Sequence, residues 1–523
     1  MSPITYKSTR GGQTNMRFEQ VVLGGLATDK GLFVPEIIPT FTIDEIEGMR
    51  DLSYTDLAYN VISKFVKPED IPAKNLKDIV NKSFSTFRSK EVAPSLKLKQ
   101  YWVLELFHGP TFAFKDVALQ FLGNVFEYFL EHGNIQKSIT ILGATSGDTG
   151  SAAIYGLRGK KNVNCFIMYP TGKVTEIQEK QMTVILDKNV HCISVDNANF
   201  DDCQDIVKAA FQDVKFREQV KLGAINSINW ARVLAQITYY FYCYLRVTDG
   251  KSAKSPIDFV VPTGNFGDIL AGYYAKRMGL PIGKLVIATN SNDVLHRFIE
   301  TGHYTKEDAE PTIAPSMDIS ISSNFERYLL YLADGDTATL KQWMEVFEKT
   351  GEVAIGTKDV LKKARADFAS YASSKDEIVK CMRETFDAEN YLLCPHTATA
   401  AIAVKKLKLN AETTVILATA HPAKFEEAIS LALTGDRKVP DRPNELNALF
   451  SQKTNTNHLP KDLKKVQSFI LSKLTSTISI FRPSNYLFGV GFVAAALITA
   501  FNIQRGGGGT FFKTFDPKKF IKF

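Results

Sequence analysis

Three short segments carry residue types and spacings that could do chemistry. In the first, Lys115 follows the aromatic, nearly uncharged turn His108-Gly109-Pro110-Thr111-Phe112-Ala113-Phe114 and precedes Asp116. Desolvation disfavours an ammonium, so a lysine held between aromatic rings can offer a neutral amine to a carbonyl, while the adjacent carboxylate works the other way. The same pattern also describes a helix-start lysine whose stem packs on apolar surface and whose head reaches water. In the second, the apolar run Phe259-Val260-Val261-Pro262 passes through Thr263-Gly264-Asn265-Phe266-Gly267-Asp268 into a helical pattern. Glycines let backbone approach an anion, and free amides at a helix start bind phosphate without a basic side chain. A plain turn has the same signature. In the third, Ile139-Thr140-Ile141-Leu142 leads into Gly143-Ala144-Thr145-Ser146-Gly147-Asp148-Thr149-Gly150. These hydroxyls and amides can hold a carboxylate, with Asp148 either capping the next helix or facing a cofactor hydroxyl.

A carbonyl-seeking lysine, a phosphate cradle and a carboxylate cradle together describe an amino acid bound to a phosphorylated aldehyde, pyridoxal phosphate. With Asn226-Ser227-Ile228-Asn229-Trp230-Ala231-Arg232, Ala418-Thr419-Ala420-His421-Pro422-Ala423-Lys424-Phe425, Tyr6-Lys7-Ser8-Thr9-Arg10 and Gly25-Leu26-Ala27-Thr28-Asp29, the segments resemble the long threonine synthases of fungi and many bacteria. These are pyridoxal-phosphate enzymes of fold type II, and the resemblance runs from about residue 5 to about residue 465.

The resemblance implies that Lys115 carries the cofactor and is the catalytic base, and that Gly264, Asn265, Phe266, Gly267 and Asp268 bind the cofactor phosphate. Thr419 is implied to meet the pyridine nitrogen. Thr145, Ser146, Asp148 and Thr149 would take the substrate carboxylate, and Asn229 with Arg232 the substrate phosphate, with Lys424 and Lys7 or Arg10 as further phosphate candidates. The implied reaction converts O-phosphohomoserine and water to threonine and phosphate, the work of a carbon-oxygen lyase acting on phosphates. Another fold type II enzyme, such as a serine or threonine dehydratase or a sulfide-transferring synthase, would share the lysine and the phosphate loop but have no use for a second anion site. A relative that binds cofactor without turnover would need no base at the α carbon.

The elements that must position these residues alternate. Strand patterns at 139–142, 163–168, 191–195, 258–261, 285–289 and 414–417 separated by helical stretches predict an α/β fold with a mainly parallel sheet, ligands lying at the carboxyl ends of its strands. The resemblance adds the arrangement, similar to that of tryptophan synthase β: an N-terminal domain over 1–95, a catalytic region over 96–450 with a smaller subdomain near 135–220, and an extension over 451–523 that leaves the family pattern after about 466. The pattern from Trp230 to Tyr242, apolar nearly all round, predicts a buried core or dimer helix with Arg232 facing the cleft.

Composition narrows the class. A net charge of +7 from 63 basic and 56 acidic residues, with no basic stripe interleaved with aromatics, speaks against nucleic acid as a partner. Eight histidines form no metal-ligand spacing, so no metal is expected. Six scattered cysteines without a CxxC pair read as reduced thiols. No secretory or transit pattern opens the chain, and a cytoplasmic monomer or homodimer acting on a small molecule is expected. The apolar run from Tyr486 to Phe501, followed by Gly506-Gly507-Gly508-Gly509, reads either as a short membrane anchor or as a wrongly predicted gene end. Membrane attachment is not expected.

Overall fold

The computed structural model describes residues 4–145, 147–248, 255–355 and 357–479. The chain forms two compact units, residues 1–465 and 466–523. Of the second, the described part is the end of the helix Leu463–Ser479; the apolar run at 486–501 lies outside the described residues.

The first unit is built on two sheets flanked by helices. The larger has six strands in the order Phe368–Ala372, Ile282–Thr289, Ile257–Pro262, Thr414–Ala418, Trp102–Glu105, Ser95–Lys97. All neighbours are parallel except the last pair. Side chains of a strand alternate between faces, and helices cover both, so both faces read as apolar. Val260, Val286 and Ile416 therefore enter one core with Ala400 and Val404 of the helix Pro395–Lys406. Phe259, Val261, Leu285 and Leu417 enter the other, with the helices Trp230–Val247 and Gly267–Arg277. The smaller sheet is all parallel, in the order Asn457–Pro460, Val190–Asp196, Val163–Pro170, Ile139–Ala144, Leu222–Gly223. Each of the six expected strands is present, one to three residues longer at one or both ends.

The helix Trp230–Val247 is buried from Trp230 to Leu245, an internal core helix. The N-terminal segment packs on it: Tyr6 and Phe65 set their rings 5.9 and 5.7 Å from Trp230, and the Tyr6 hydroxyl donates to the Phe65 carbonyl at 2.8 Å. Two further helices matter for the site because each starts on a candidate residue, Lys115–His132 and Asp148–Leu157. They cross glycine on glycine. A Cβ at Gly123 would stand 2.0 Å from the Gly156 carbonyl oxygen, and one at Gly156 would stand 2.4 Å from that of Leu119. No larger residue fits at either position without separating the helices.

Candidate active site

Lys115 opens into a cavity of about 280 Å³ at the carboxyl ends of the strands of both sheets. The turn before it is fixed from behind. Phe112 adopts a left-handed φ of 60°, and its carbonyl accepts the His421 amide at 3.1 Å. The Phe114 amide donates to the Thr419 carbonyl at 2.8 Å, and Ala113 forms an antiparallel bridge with Ala420. This bridge sets Thr419 beside Lys115. Arg88 donates to the carbonyls of Gly109 and Pro110 and lies 3.6 Å over the Phe112 ring. Burial pushes the Lys115 amine down to about 8; Asp148 pulls the other way, while the Lys424 and Arg232 cations reinforce the fall. Its Nζ points to Ser316 Oγ at 3.4 Å. Asp116, the neighbour expected to favour the ammonium, is itself tied to the Thr111 amide and hydroxyl, both at 2.8 Å. Burial pushes its carboxyl up to about 6, so it opposes the lysine shift only weakly.

The loop from Gly264 to Asp268 lines the same cavity. The amides of Asn265, Phe266, Gly267 and Asp268 donate to no acceptor among the described residues, and they stand at the start of the helix Gly267–Arg277. Such a cluster, with the helix dipole behind it, suits a phosphate. A side chain at Gly264 would meet the Ser316 carbonyl oxygen at 3.0 Å, so the loop lies close against its neighbour. Asp268 accepts from the Tyr239 and Tyr240 hydroxyls at 2.5 and 2.9 Å on Oδ1, while Oδ2 has no partner among the described residues. Burial pushes this carboxyl up to about 7, compatible with an anion next to it. The residues present thus fit a phosphorylated aldehyde: an amine for the carbonyl and uncommitted amides for the phosphate.

The remaining expected residues divide. Thr145, Asp148 and Thr149 line the cavity; Ser146 lies outside the described residues. The Thr145 hydroxyl is committed to the turn, accepting from the amides of Gly147 and Gly150 at 3.0 and 2.9 Å. Arg232 lines the cavity too. One of its terminal nitrogens donates to the Ile225 carbonyl at 3.1 Å, its Nε has no partner among the described residues, and burial pushes its guanidinium down to about 10. Asn229 is placed otherwise. Its side chain caps the helix Trp230–Val247 through the Ala231 amide and donates to the Val22 carbonyl at 2.9 Å, so both ends of the amide are engaged outside the cavity. Arg10 is also engaged elsewhere, with Glu326 and Glu348 at 2.9 and 2.6 Å.

Several cavity residues are not marked by the sequence, among them Ser316 and His396. Ser316 and His396 come from segments with no glycine loop, and the Ser316 amide donates to His396 Nε2 at 3.0 Å. Burial pushes the His396 imidazole down to about 3, against Asp148, so it stays neutral. Behind the cavity, Lys424 is fully buried and paired to Asp148 at 2.6 Å.

A pyridoxal-phosphate-dependent enzyme of fold type II is the class that this fold and cavity define. Models of known families agree along the chain: the threonine synthase N terminus matches residues 5–84, the pyridoxal-phosphate-dependent enzyme family residues 85–354, and the threonine synthase C-terminal family residues 397–470. The threonine synthase of Schizosaccharomyces pombe is 51% identical over 465 residues, covering 83% of this chain and 90% of its own length. The crystal structure of threonine synthase from yeast superposes with a TM-score of 0.86 at 44% identity, covering 91% of this chain and 99% of that one. That of the pyridoxal-phosphate-bound threonine synthase from Brucella melitensis gives 0.85 at 41%, covering 90% and 99%. The chain belongs to the threonine synthase family.

Proposed function

We infer that this chain catalyses the replacement of the γ-phosphate of O-phosphohomoserine by water, releasing threonine and phosphate. One observation carries the reading: an amine brought down to about 8, a ring of uncommitted amides and the under-committed guanidinium of Arg232 meet in one cavity. A dehydratase would need the first two alone.

In this reading Lys115 and the amides of residues 265–268 would hold pyridoxal phosphate, and Thr419, which lines the same cavity, would offer its hydroxyl to the ring nitrogen. When bound, the cofactor supplies a conjugated ring that spreads negative charge left at the substrate α carbon. The Lys115 amine takes the α proton, because its lowered basicity leaves a usable neutral fraction near neutral pH. Protons lost at the β carbon and returned at the γ carbon need a base that stays in place, and the lysine at the mouth of its helix is the group in reach. Arg232 holds the leaving phosphate, and the loop of Thr145, Ser146, Asp148 and Thr149 orients the carboxylate through its backbone amides and free hydroxyls, the ionised Asp148 side chain being taken up by Lys424, so the two anions are fixed at a set separation. Asn229 serves the phosphate site from behind, by capping the helix that carries Arg232. Water then adds its hydroxyl at the β carbon, and the proton taken from the α carbon is returned to that carbon from Lys115, which completes threonine.

The same reading divides the chain into an N-terminal domain to about residue 95, a catalytic region to about 450 with a subdomain near 135–220, and the extension beyond. It places the enzyme in the cytoplasm as a monomer or homodimer without a nucleic-acid partner. Five of the six cysteines are buried and all six are free, which suits a reducing compartment. No helix of the described residues is long and apolar enough to cross a membrane. The test is release of phosphate and threonine from O-phosphohomoserine by the full chain with added pyridoxal phosphate. Equal amounts of both are expected. Phosphate without threonine marks a different lyase, and neither product overturns the reading.

A further inference from the structure

The Lys424 ammonium is fully buried behind the cavity and has two partners from different segments of the chain. It pairs with the Asp148 carboxylate at 2.6 Å, at the start of the helix that follows the smaller sheet. It also donates to the Thr111 carbonyl at 2.8 Å, in the turn that leads to Lys115. The Gln178 amide completes the coordination of Asp148 at 3.0 Å, and Gln181 donates to the same Thr111 carbonyl at 3.0 Å. Burial works against the Asp148 carboxylate, but Lys424, Lys115 and Gln178 outweigh it and keep it ionised.

An ionised, buried Asp148 facing Lys115 would by itself hold that lysine as its counter-ion. We propose that Lys424 is a positioning residue: by taking Asp148 as its own partner and gripping Thr111, it leaves Lys115 free to exist as a neutral amine and sets the carboxylate loop against the lysine turn. This rests on the proposed cofactor site, though not on the identity of the substrate. The charged groups that act most on Lys115 are Asp148, Lys424, Arg232 and Asp116; the neutral His396 and the carboxyls of Asp268 and Asp318 line the same cavity, Asp268 held by the Tyr239 and Tyr240 hydroxyls and Asp318 by Asn290 and Thr312. Lys424 and Arg232 favour the amine; Asp148 and Asp116 favour the ammonium. Removing Lys424 therefore shifts the balance to the ammonium, and removing Asp148 shifts it to the amine.

The experiment follows attachment of pyridoxal phosphate to the cofactor-free full chain by absorbance, as a function of pH. The parent rate should rise with pH through a midpoint near pH 8. Lys424→Met should move that midpoint up by about one unit or more, and Asp148→Asn should move it down. The double variant, which leaves neither charge, should return to within about half a unit of the parent. A purely structural role predicts slower attachment in all three variants with an unmoved midpoint, and that result overturns the proposal. If Lys424→Met does not fold, Asp148→Asn and the double variant decide: separate midpoints support the role, and coincident ones overturn it. A parent chain that takes up no pyridoxal phosphate at any pH overturns the cofactor site itself, an outcome distinct from failure of the Lys424 role.

Discussion

Lys115 draws its chemistry from what surrounds it more than from its own position in sequence. Lys115→Ala should abolish the absorbance of bound cofactor and lower turnover by about 10²–10⁴-fold or more, the usual weight of a positioned base; phosphate release at the parent rate would remove the assignment. Arg232→Ala should raise KM for O-phosphohomoserine by about 30-fold or more, since truncating one partner of a buried charge pair costs about 2–5 kcal/mol. Binding of a non-phosphorylated amino acid should change little, and equal losses for both ligands would take Arg232 out of the phosphate site. Lys115, Arg232 and the Gly264 loop were legible because amine, guanidinium and glycine announce their chemistry locally. Asn229 was read as a ligand although it stands just before an apolar helix, where asparagine is a favoured N-cap. Ser316 and His396 were illegible because nothing near them in sequence marks a cavity; only the fold brings them to Lys115.

At the scale of elements, the site depends on two helices meeting at two glycines. Gly123→Ala should lower stability by about 1–3 kcal/mol, the range for overpacking a close contact, read as a shift in denaturant midpoint. Because the helices begin at Lys115 and Asp148, cofactor uptake should weaken as well. An alanine variant with parent stability would mean that the helices slide apart freely. Runs such as Phe259-Val260-Val261 showed themselves as strands through β-branched residues ending in glycine loops. Trp102–Glu105 and Phe368–Ala372 did not, being short and mixed in polarity. They are strands because their neighbours offer unpaired backbone, a tertiary demand that local pattern does not carry. The glycine crossing was equally hidden, since Gly123 sits inside a helical pattern and its reason lies 33 residues on, at Gly156.

For the whole molecule, buried titrating groups oppose one another. His396 and His421 are pushed down to about 3 and about 4, so the unfolded chain binds their protons first as pH falls below about 6.5, and stability drops. Asp116 and Asp268 are pushed up to about 6 and about 7; the folded chain binds their protons first above their ordinary 3.8, and stability gains as pH falls. Each proton is worth about 1.4 kcal/mol per pH unit. Asp318 and Asp367 are raised by burial too, so four carboxyls stand against two imidazoles and the unfolding midpoint of the cofactor-free chain should hold or rise slightly as pH falls from about 6 to about 5. Below about pH 4 it should fall, as Asp148 and Glu377, both held below their ordinary range, take up protons on unfolding. A fall in midpoint between about pH 6 and pH 5 would show that one of these six groups is ionised otherwise. The strand Thr414–Ala418 lies in the middle of the larger sheet, between Ile257–Pro262 and Trp102–Glu105, and hands Thr419 and Lys424 to the site. On the ribosome these residues emerge roughly 300 positions after Lys115, about 15–60 s later at ordinary synthesis speeds. Until then the sheet has a gap at its centre and the lysine turn has nothing to bridge to. A chain whose synthesis stops before Lys424 therefore cannot finish its cofactor site, and uptake of the cofactor marks a protein that has been read past that strand.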